Sequence, residues 1–152
     1  MAIESIVKEK LTGKVISWSK HSPGRIYLFI KPADIKEVAE ILFKELGLRF
    51  STASGYDSTA GIEILYHFSY DKEGVIFSVR VLLEDKKNPQ IDSLANLFKG
   101  AEWIEREIWE LLGVNFKGHP NLKHLLLIDD WPEGKHPLRH DEHHEHDHDH
   151  KD

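Results

Sequence analysis

The sequence predicts an α+β fold: a twisted mixed or antiparallel sheet, helices packed on one face of it, and an extended, irregular C-terminal arm. Segments in which apolar and polar residues alternate, as they do in half-buried strands, recur up to residue 83. Segments with the period of an amphipathic helix lie before, between and after them. Turn residues crowd the chain beyond Leu112. A length of 152 residues, 40% of them apolar, suffices for one compact domain with its own core.

Four elements are predicted before residue 48. They are a short helix over residues 2–11, a strand over 15–19, a strand over 26–30 and a helix from Asp34 to Gly47. Pro32 follows the second strand and ends it, because proline cannot donate a hydrogen bond to a sheet. In the second helix, Asp34 and Glu37 have the spacing of a capping box, and Gly47 is placed to terminate the helix.

Three strands and two helices are predicted next. The strands are Leu48–Ser54, Ile62–Tyr70 and Val75–Leu83, and the helices are a short one from Ile91 to Phe98, stopped at Gly100, and a longer one from Ala101 to Leu112. The Asp-Lys-Glu-Gly sequence at 71–74 is typical of a hairpin turn between the last two strands. The last strand alternates apolar residues with residues such as Arg80, so the sheet has one core side and one mixed side.

The helix from Ala101 is predicted to carry a buried carboxylate. A helical projection places five apolar residues in one stripe, namely Trp103, Ile104, Ile108, Leu111 and Leu112. Glu107 projects into this stripe, and a buried carboxylate is stable only when it is paired. Arg80 is the predicted partner in a structural ion pair, whereas Arg106 is expected to face solvent or a second protein.

Residues 113–139 are predicted to form an extended docking arm beyond a core domain of residues 1–112. Glycines and prolines that break regular structure recur along this arm, at Gly113, Gly118, Pro120, Pro132, Gly134 and Pro137. The arm nevertheless contains Phe116, Leu126 and Trp131, which is more apolar material than a solvated loop carries. Part of it is therefore expected to be covered, either by its own domain or by another chain.

Residues 140–152 are predicted to be a disordered tail, because their composition cannot bury a core. They combine acidic residues with histidines, a pattern in which imidazole and carboxylate groups can bind nickel, zinc or copper. The candidate metal ligands are His140, His143, His144, His146, His148 and His150.

Composition excludes several kinds of site. The chain has no cysteine, which rules out disulfides, thiolate metal sites, cysteine-ligated iron–sulfur clusters and cysteine nucleophiles. No apolar run approaches the roughly 20 residues that span a bilayer, and the first ten residues lack a signal-peptide core. A net charge of −6 leaves no basic field for nucleic acid. Residues 52–57 lack the ending of a phosphate loop, and the two His-Pro pairs are interpreted as turns, so neither catalytic residues nor a bound cofactor are predicted.

From Trp103 onward the chain resembles the 30 kDa subunit family of respiratory complex I, which also occurs in related membrane-bound, ferredoxin-linked hydrogenase complexes. The matching residues are Glu105-Arg106-Glu107, Gly113-Val114, Phe116, Gly118 to Lys123, Trp131 and Pro137-Leu138-Arg139. A looser likeness in the order of elements extends back to about Gly24. The chain departs from the family pattern at Glu110, where aspartate is usual, and at His124 and His140, where arginine or lysine is typical.

The resemblance implies a non-catalytic accessory subunit in the hydrophilic arm of an oxidoreductase complex, of the NADH:quinone oxidoreductase or ferredoxin-dependent hydrogenase type. The implied partners are a hydrogenase-like large subunit and a neighbouring iron–sulfur subunit, which would hold the protein at the cytoplasmic face of the cell membrane. The implied interface residues are Arg106, Phe116, His119, Pro120, Trp131, Pro137, Leu138 and Arg139. The compact chain and its tail fit the hydrogenase or sulfur-reducing complexes of archaea better than a quinone-reducing complex.

Two functions from other classes stay open on the sequence alone. The first is a metal-handling protein that delivers nickel or zinc through the histidine-rich tail. The second is a hydrolase that uses Glu107 together with a histidine, although no nucleophile or base stands near Glu107 at a recognisable spacing.

Overall fold

The structure, a computed structural model, describes residues 2–120 of the chain. Five strands form the main sheet: β1 (Val15–Ser22), β2 (Arg25–Ile30), β3 (Arg49–Ser58), β4 (Gly61–Tyr70) and β5 (Val75–Leu83). Their order is β1-β2-β5-β4-β3, with β2 and β5 parallel and the other neighbours antiparallel. The predicted mixed sheet is confirmed, and so is the hairpin turn between β4 and β5.

One face of the sheet carries the core. Alternate residues of β2, β4 and β5 are buried on this face, including Leu28, Tyr66 and Val79, which lie side by side across the three strands. Helix α1 (Ile3–Lys10) adds Ile3 and Val7 to the same core. The opposite face is partly exposed, as the alternation of strand residues predicts.

The segment before β3 is a helix of three different geometries. A 3₁₀ turn (Pro32–Asp34) leads into α2 (Ile35–Glu40), which continues as a π-helical turn (Ile41–Glu45). Gly47 then adopts a left-handed φ of +72° and ends the helix, as predicted. The predicted capping box does not form, because the 3₁₀ turn at Pro32 holds Asp34 at φ −94° and ψ 0°, away from the extended conformation of a capping residue.

The helix predicted from Ile91 to Phe98 is wrong. The chain instead forms a short strand, β6 (Gln90–Asp92), followed by turns. The backbone N–H of Ser93 donates to the carbonyl of Lys117, and the N–H of Leu94 donates to the Glu105 carboxylate. These long-range partners replace local helical bonds at Ser93 and Leu94, and the local bonds that remain, from the N–H groups of Leu97 and Phe98 to the Leu94 carbonyl, close only one turn.

Helix α3 (Lys99–Leu112) is the longest of the helices in the described part of the chain, and it begins two residues earlier than predicted. Strand β7 (Asn115–Lys117) follows it and pairs in parallel with β6. Val114 and Phe116 are buried in the core, so the core domain extends past the boundary predicted at Leu112. Residues 121–152, which include most of the predicted arm and all of the predicted tail, lie outside the described residues. Within residues 2–120, none of the helices is both long and apolar enough to cross a membrane.

Candidate functional site

Helix α3 packs on β3 through a stripe that differs from the predicted one. Its buried residues toward the sheet are Ala101, Glu105, Ile108 and Leu112, spaced by four, three and four positions as on one face of a helix. Trp103, which was placed in the stripe from the sequence, is instead 55% exposed. Gly55 of β3 permits the close approach, because a Cβ there would lie 2.6 Å from the Leu112 Cδ1 atom.

The buried carboxylate of this stripe is Glu105. Its Oε1 accepts a hydrogen bond of 2.5 Å from the Ser93 hydroxyl, and its Oε2 accepts one of 2.7 Å from the Leu94 backbone N–H. Ser93 Oγ also accepts from the N–H of Ala95. Glu105 thus fixes the turn after β6, because hydrogen bonds satisfy both of its oxygens inside the core.

Burial raises the pKa of Glu105 to about 7, although the hydrogen bonds from Leu94 and Ser93 act in the opposite direction. Tyr66 lies close enough for the Glu105 charge to act on it. Burial, with a further contribution from that charge, raises the pKa of the Tyr66 hydroxyl well above its ordinary value. The Tyr66 hydroxyl has no hydrogen-bond partner among the described residues. Glu105 therefore holds its proton more strongly in this cluster than a glutamate side chain does in water.

His119 ties the turn after β7 to α3. Its imidazole is fully buried, and Nε2 donates a 2.8 Å hydrogen bond to the backbone carbonyl of Glu102. The same nitrogen lies 4.0 Å from Glu105 Oε1. The Gly-His-Pro turn is therefore anchored to the helix by the imidazole of His119, a residue for which the resemblance implied an interface role.

The predicted ion pair between Glu107 and Arg80 does not form. Arg80 Nε lies 2.6 Å from Glu63 Oε1, and the guanidinium stacks on Phe29 on the sheet face opposite the core. Glu107 is only half-buried, at a groove between α3 and β3. The prediction failed because Glu105, two positions earlier, occupies the core-facing side of the helix.

The outward side of α3 presents an aromatic and a cationic residue together. The Arg106 guanidinium carbon lies 5.8 Å from the centre of the Trp103 ring, within the range of a cation–π contact. Arg106 is half-buried, and its Nε is shielded from solvent without a hydrogen-bond partner in the described part of the chain. An aromatic ring and an arginine in one exposed patch are the residue types that dominate protein interfaces.

The other predicted interface residues divide into three groups. Phe116 is 1% exposed and belongs to the core, so its prediction as an interface residue is wrong. Pro120 is exposed. Trp131, Pro137, Leu138 and Arg139 lie outside the described residues, as do the six histidines predicted to bind metal.

A further carboxylate of α3 escaped the sequence reasoning. Glu110 is fully buried, and it is not without an interaction partner. In the sequence it differs little from the exposed acids around it, and only its place in the resemblance singled it out. No group of three or more potential metal ligands comes together in residues 2–120.

These features lie in the segment by which the chain is matched to known proteins. A family model described as the 30 kDa subunit of respiratory-chain NADH dehydrogenase matches residues 28–148. The chain belongs to this family. The resemblance stated from the residues of α3 and the following turn is thereby confirmed, and it covers most of the chain.

Two relatives indicate the range of complexes in which family members occur. The chain is 36% identical over 124 residues to the C-type subunit of the NADH-quinone oxidoreductase of Salinispora tropica, covering 78% of this chain and 50% of that protein. This chain therefore spans about half the length of that relative. It is 38% identical over 141 residues to the C-type subunit of the F(420)H(2) dehydrogenase of Methanosarcina mazei, covering 88% of this chain and 87% of that protein.

A solved structure supports the fold. A chain of the membrane-bound sulfane sulfur reductase, an archaeal respiratory membrane complex, superimposes with a TM-score of 0.77 over 91% of this chain and 82% of that one. Sequence identity between the two is 21%, so this likeness concerns the fold alone. The α+β architecture predicted from the sequence is confirmed.

Proposed function

We propose that this protein is a non-catalytic subunit in the peripheral arm of a complex I-like respiratory complex, where it binds and stabilises the hydrogenase-like large subunit. Family membership supports the assignment to such a complex. The observation that carries the docking role is the outward pair of Trp103 and Arg106 on α3, in the segment where the family resemblance is strongest.

The proposal extends to the chain beyond α3. Pro120, Trp131, Pro137, Leu138 and Arg139 remain the proposed contacts of the arm, which starts where His119 fixes the chain against Glu102. The large subunit and a neighbouring iron–sulfur subunit are the proposed partners, and they would hold the protein at the cytoplasmic face of the membrane. The electron-transfer chemistry would then belong to those partners.

The docking role is tested by co-expressing the full chain with the other subunits of its complex and measuring how much of the chain co-purifies. A Trp103→Ala, Arg106→Ala double variant removes both members of the patch. If the patch is central to an interface, binding weakens by at least about 2 kcal/mol, the usual loss for such residues.

The matched control is Ile16→Ala on β1, because Ile16 is exposed to 54%, nearly the same fraction as Trp103. The control should assemble normally, and thermal melting should show that both altered chains fold. Normal assembly of a folded double variant would contradict the docking role of α3. Equal loss in the control would also contradict it, because the effect would not be specific to this patch.

A further inference from the structure

The two edges of the sheet differ in how they are protected. Strand β1, at one edge, has register shifts near both of its ends and carries Lys20. Strand β3, at the other edge, has one register shift near its start, after which residues 52–56 read Thr-Ala-Ser-Gly-Tyr without charge or proline. Soluble proteins usually block exposed sheet edges with charges, prolines or bulges. The edge formed by residues 52–56 of β3 lacks these devices.

This stretch of β3 has backbone groups that point away from the sheet. Ser58 pairs with Gly61 across a two-residue turn, and inward and outward residues alternate from such a pair along an antiparallel strand. Ala53 and Gly55 are accordingly the residues that direct their N–H and C=O groups outward. Among the described residues, these outward groups meet only the Thr52 hydroxyl, 3.5 Å from the Ala53 carbonyl.

A groove of about 200 Å³ runs beside the unprotected edge. Its walls are residues 52–55 of β3 and one side of α3, contributed by Ile104, Glu107, Ile108, Leu111 and Leu112. The α3 wall is apolar apart from Glu107. No described residue forms an ion pair with Glu107, so this half-buried carboxylate gives the groove a negative charge.

We propose that an extended segment of a partner subunit adds to β3 as a sixth strand and fills this groove. The strand would bond to the outward groups of Ala53 and Gly55, place apolar side chains against Ile104 and Leu111, and bring a lysine or arginine to Glu107. A helix could cover the apolar wall but would leave the backbone groups of the edge unpaired. This inference rests on the proposed function only for the existence of a partner subunit, since the surface lies on a different side of α3 from Trp103 and Arg106.

Amide hydrogen exchange in the isolated chain and in the assembled complex tests the added strand. The amides of Ala53 and Gly55 should exchange about tenfold more slowly in the complex, as one new hydrogen bond each implies. The amides of β1 should be unchanged and serve as the matched edge. Unchanged exchange in β3 would overturn the proposal.

Charge substitution tests the partner's chemistry. Glu107→Lys should weaken assembly about tenfold by placing like charges together, while Glu9→Lys, at an exposed acid of α1, should assemble as the parent does. Hydrogen exchange of the isolated Glu107→Lys chain should match the parent and so show that it folds. Normal assembly of this folded variant would overturn the proposal that the partner places a lysine or arginine at Glu107.

A photoreactive amino acid at position 52 identifies the occupant. Cross-linking to an extended peptide of another subunit supports the proposal, whereas cross-linking to residues 121–152 of this chain overturns it in favour of self-association. If assembly depends on Trp103 and Arg106 but the amides of β3 exchange as fast in the complex as in the isolated chain, this inference alone is refuted. Assembly that depends on neither surface would refute the proposed docking function as well.

Discussion

Replacement of Glu105 by glutamine should make the protein more stable at neutral and alkaline pH. The carboxylate is buried in the core, and its pKa is raised from an ordinary value of 4.5 to about 7. Because the folded-state pKa is the higher one, the stabilising contribution of Glu105 is complete below pH 4.5 and is lost as the pH rises through about 7. At about 1.36 kcal/mol per pH unit, the loss above pH 7 is roughly 3 kcal/mol.

Glutamine resembles the protonated acid in shape and hydrogen bonding. Its carbonyl can accept from the Leu94 N–H, and its amide can donate to Ser93 Oγ, which keeps both contacts of Glu105 but reverses the direction of the bond with Ser93. The variant should therefore match the parent near pH 4 and exceed its free energy of unfolding by up to about 3 kcal/mol at pH 8.

Urea unfolding at several pH values between 4 and 8 measures this difference directly. Other groups titrate in the same range, among them His67, whose pKa is lowered by burial and then by Arg25. The contributions of groups that do not interact with Glu105, such as His67, cancel when the variant is subtracted from the parent. Glu102→Gln, on the same helix, is the control and should show no such divergence. A difference that is constant with pH, or that favours the parent at pH 8, would refute the buried, protonation-favouring environment assigned to Glu105.

Three further outcomes are expected from single changes. Phe116→Ala should lower the free energy of unfolding of the isolated chain by about 3–5 kcal/mol in urea titrations, because the side chain is buried in the core. A loss below about 1 kcal/mol would show that the side chain is exposed instead. Glu107→Gln should leave melting of the isolated chain within about 0.5 kcal/mol of the parent, since no cation among residues 2–120 pairs with Glu107, and a large loss would mean that the charge is structurally paired. Removal of residues 140–152 should abolish most binding of Ni²⁺ or Zn²⁺ in calorimetric titration while the fold is kept; equal uptake by the shortened chain would place the site elsewhere.

The strands were predictable because their physics is local. In β5, buried residues alternate from Val75 to Leu83 in the sequence itself, and the turn at 71–74 fixes the pairing with β4. The parallel pairing of β2 with β5 depends on residues separated by about 50 positions, and no local pattern specifies it. The prediction of a helix at residues 91–98 failed for the same reason, since Ser93 and Leu94 bond to Lys117 and Glu105, which are distant in the sequence.

The helix that carries the buried carboxylate, α3, was predicted from the sequence, but the carboxylate itself was misassigned. The predicted stripe was centred near Glu107 because Trp103 and Leu111 are large apolar residues on that side of the helix. The helical spacing of Ala101, Glu105, Ile108 and Leu112 is that of the face that is buried. A projection based on hydrophobicity does not identify this face, because alanine is small and glutamate is charged. Only the distant donors at Ser93 and Leu94 make burial of Glu105 tolerable, and no spacing along the helix reveals them.

The buried polar contacts give a physical reason why the segment from α3 to the following turn acts as one unit. Glu105 holds the turn after β6, and that turn bonds through Ser93 to Lys117 of β7. Two residues later, His119 returns to α3 by donating to the Glu102 carbonyl. These contacts hold the chain against α3 and β6 as far as His119. A proposed docking arm gains from such an anchor, because less conformational entropy is lost on binding when its first residues are already in place.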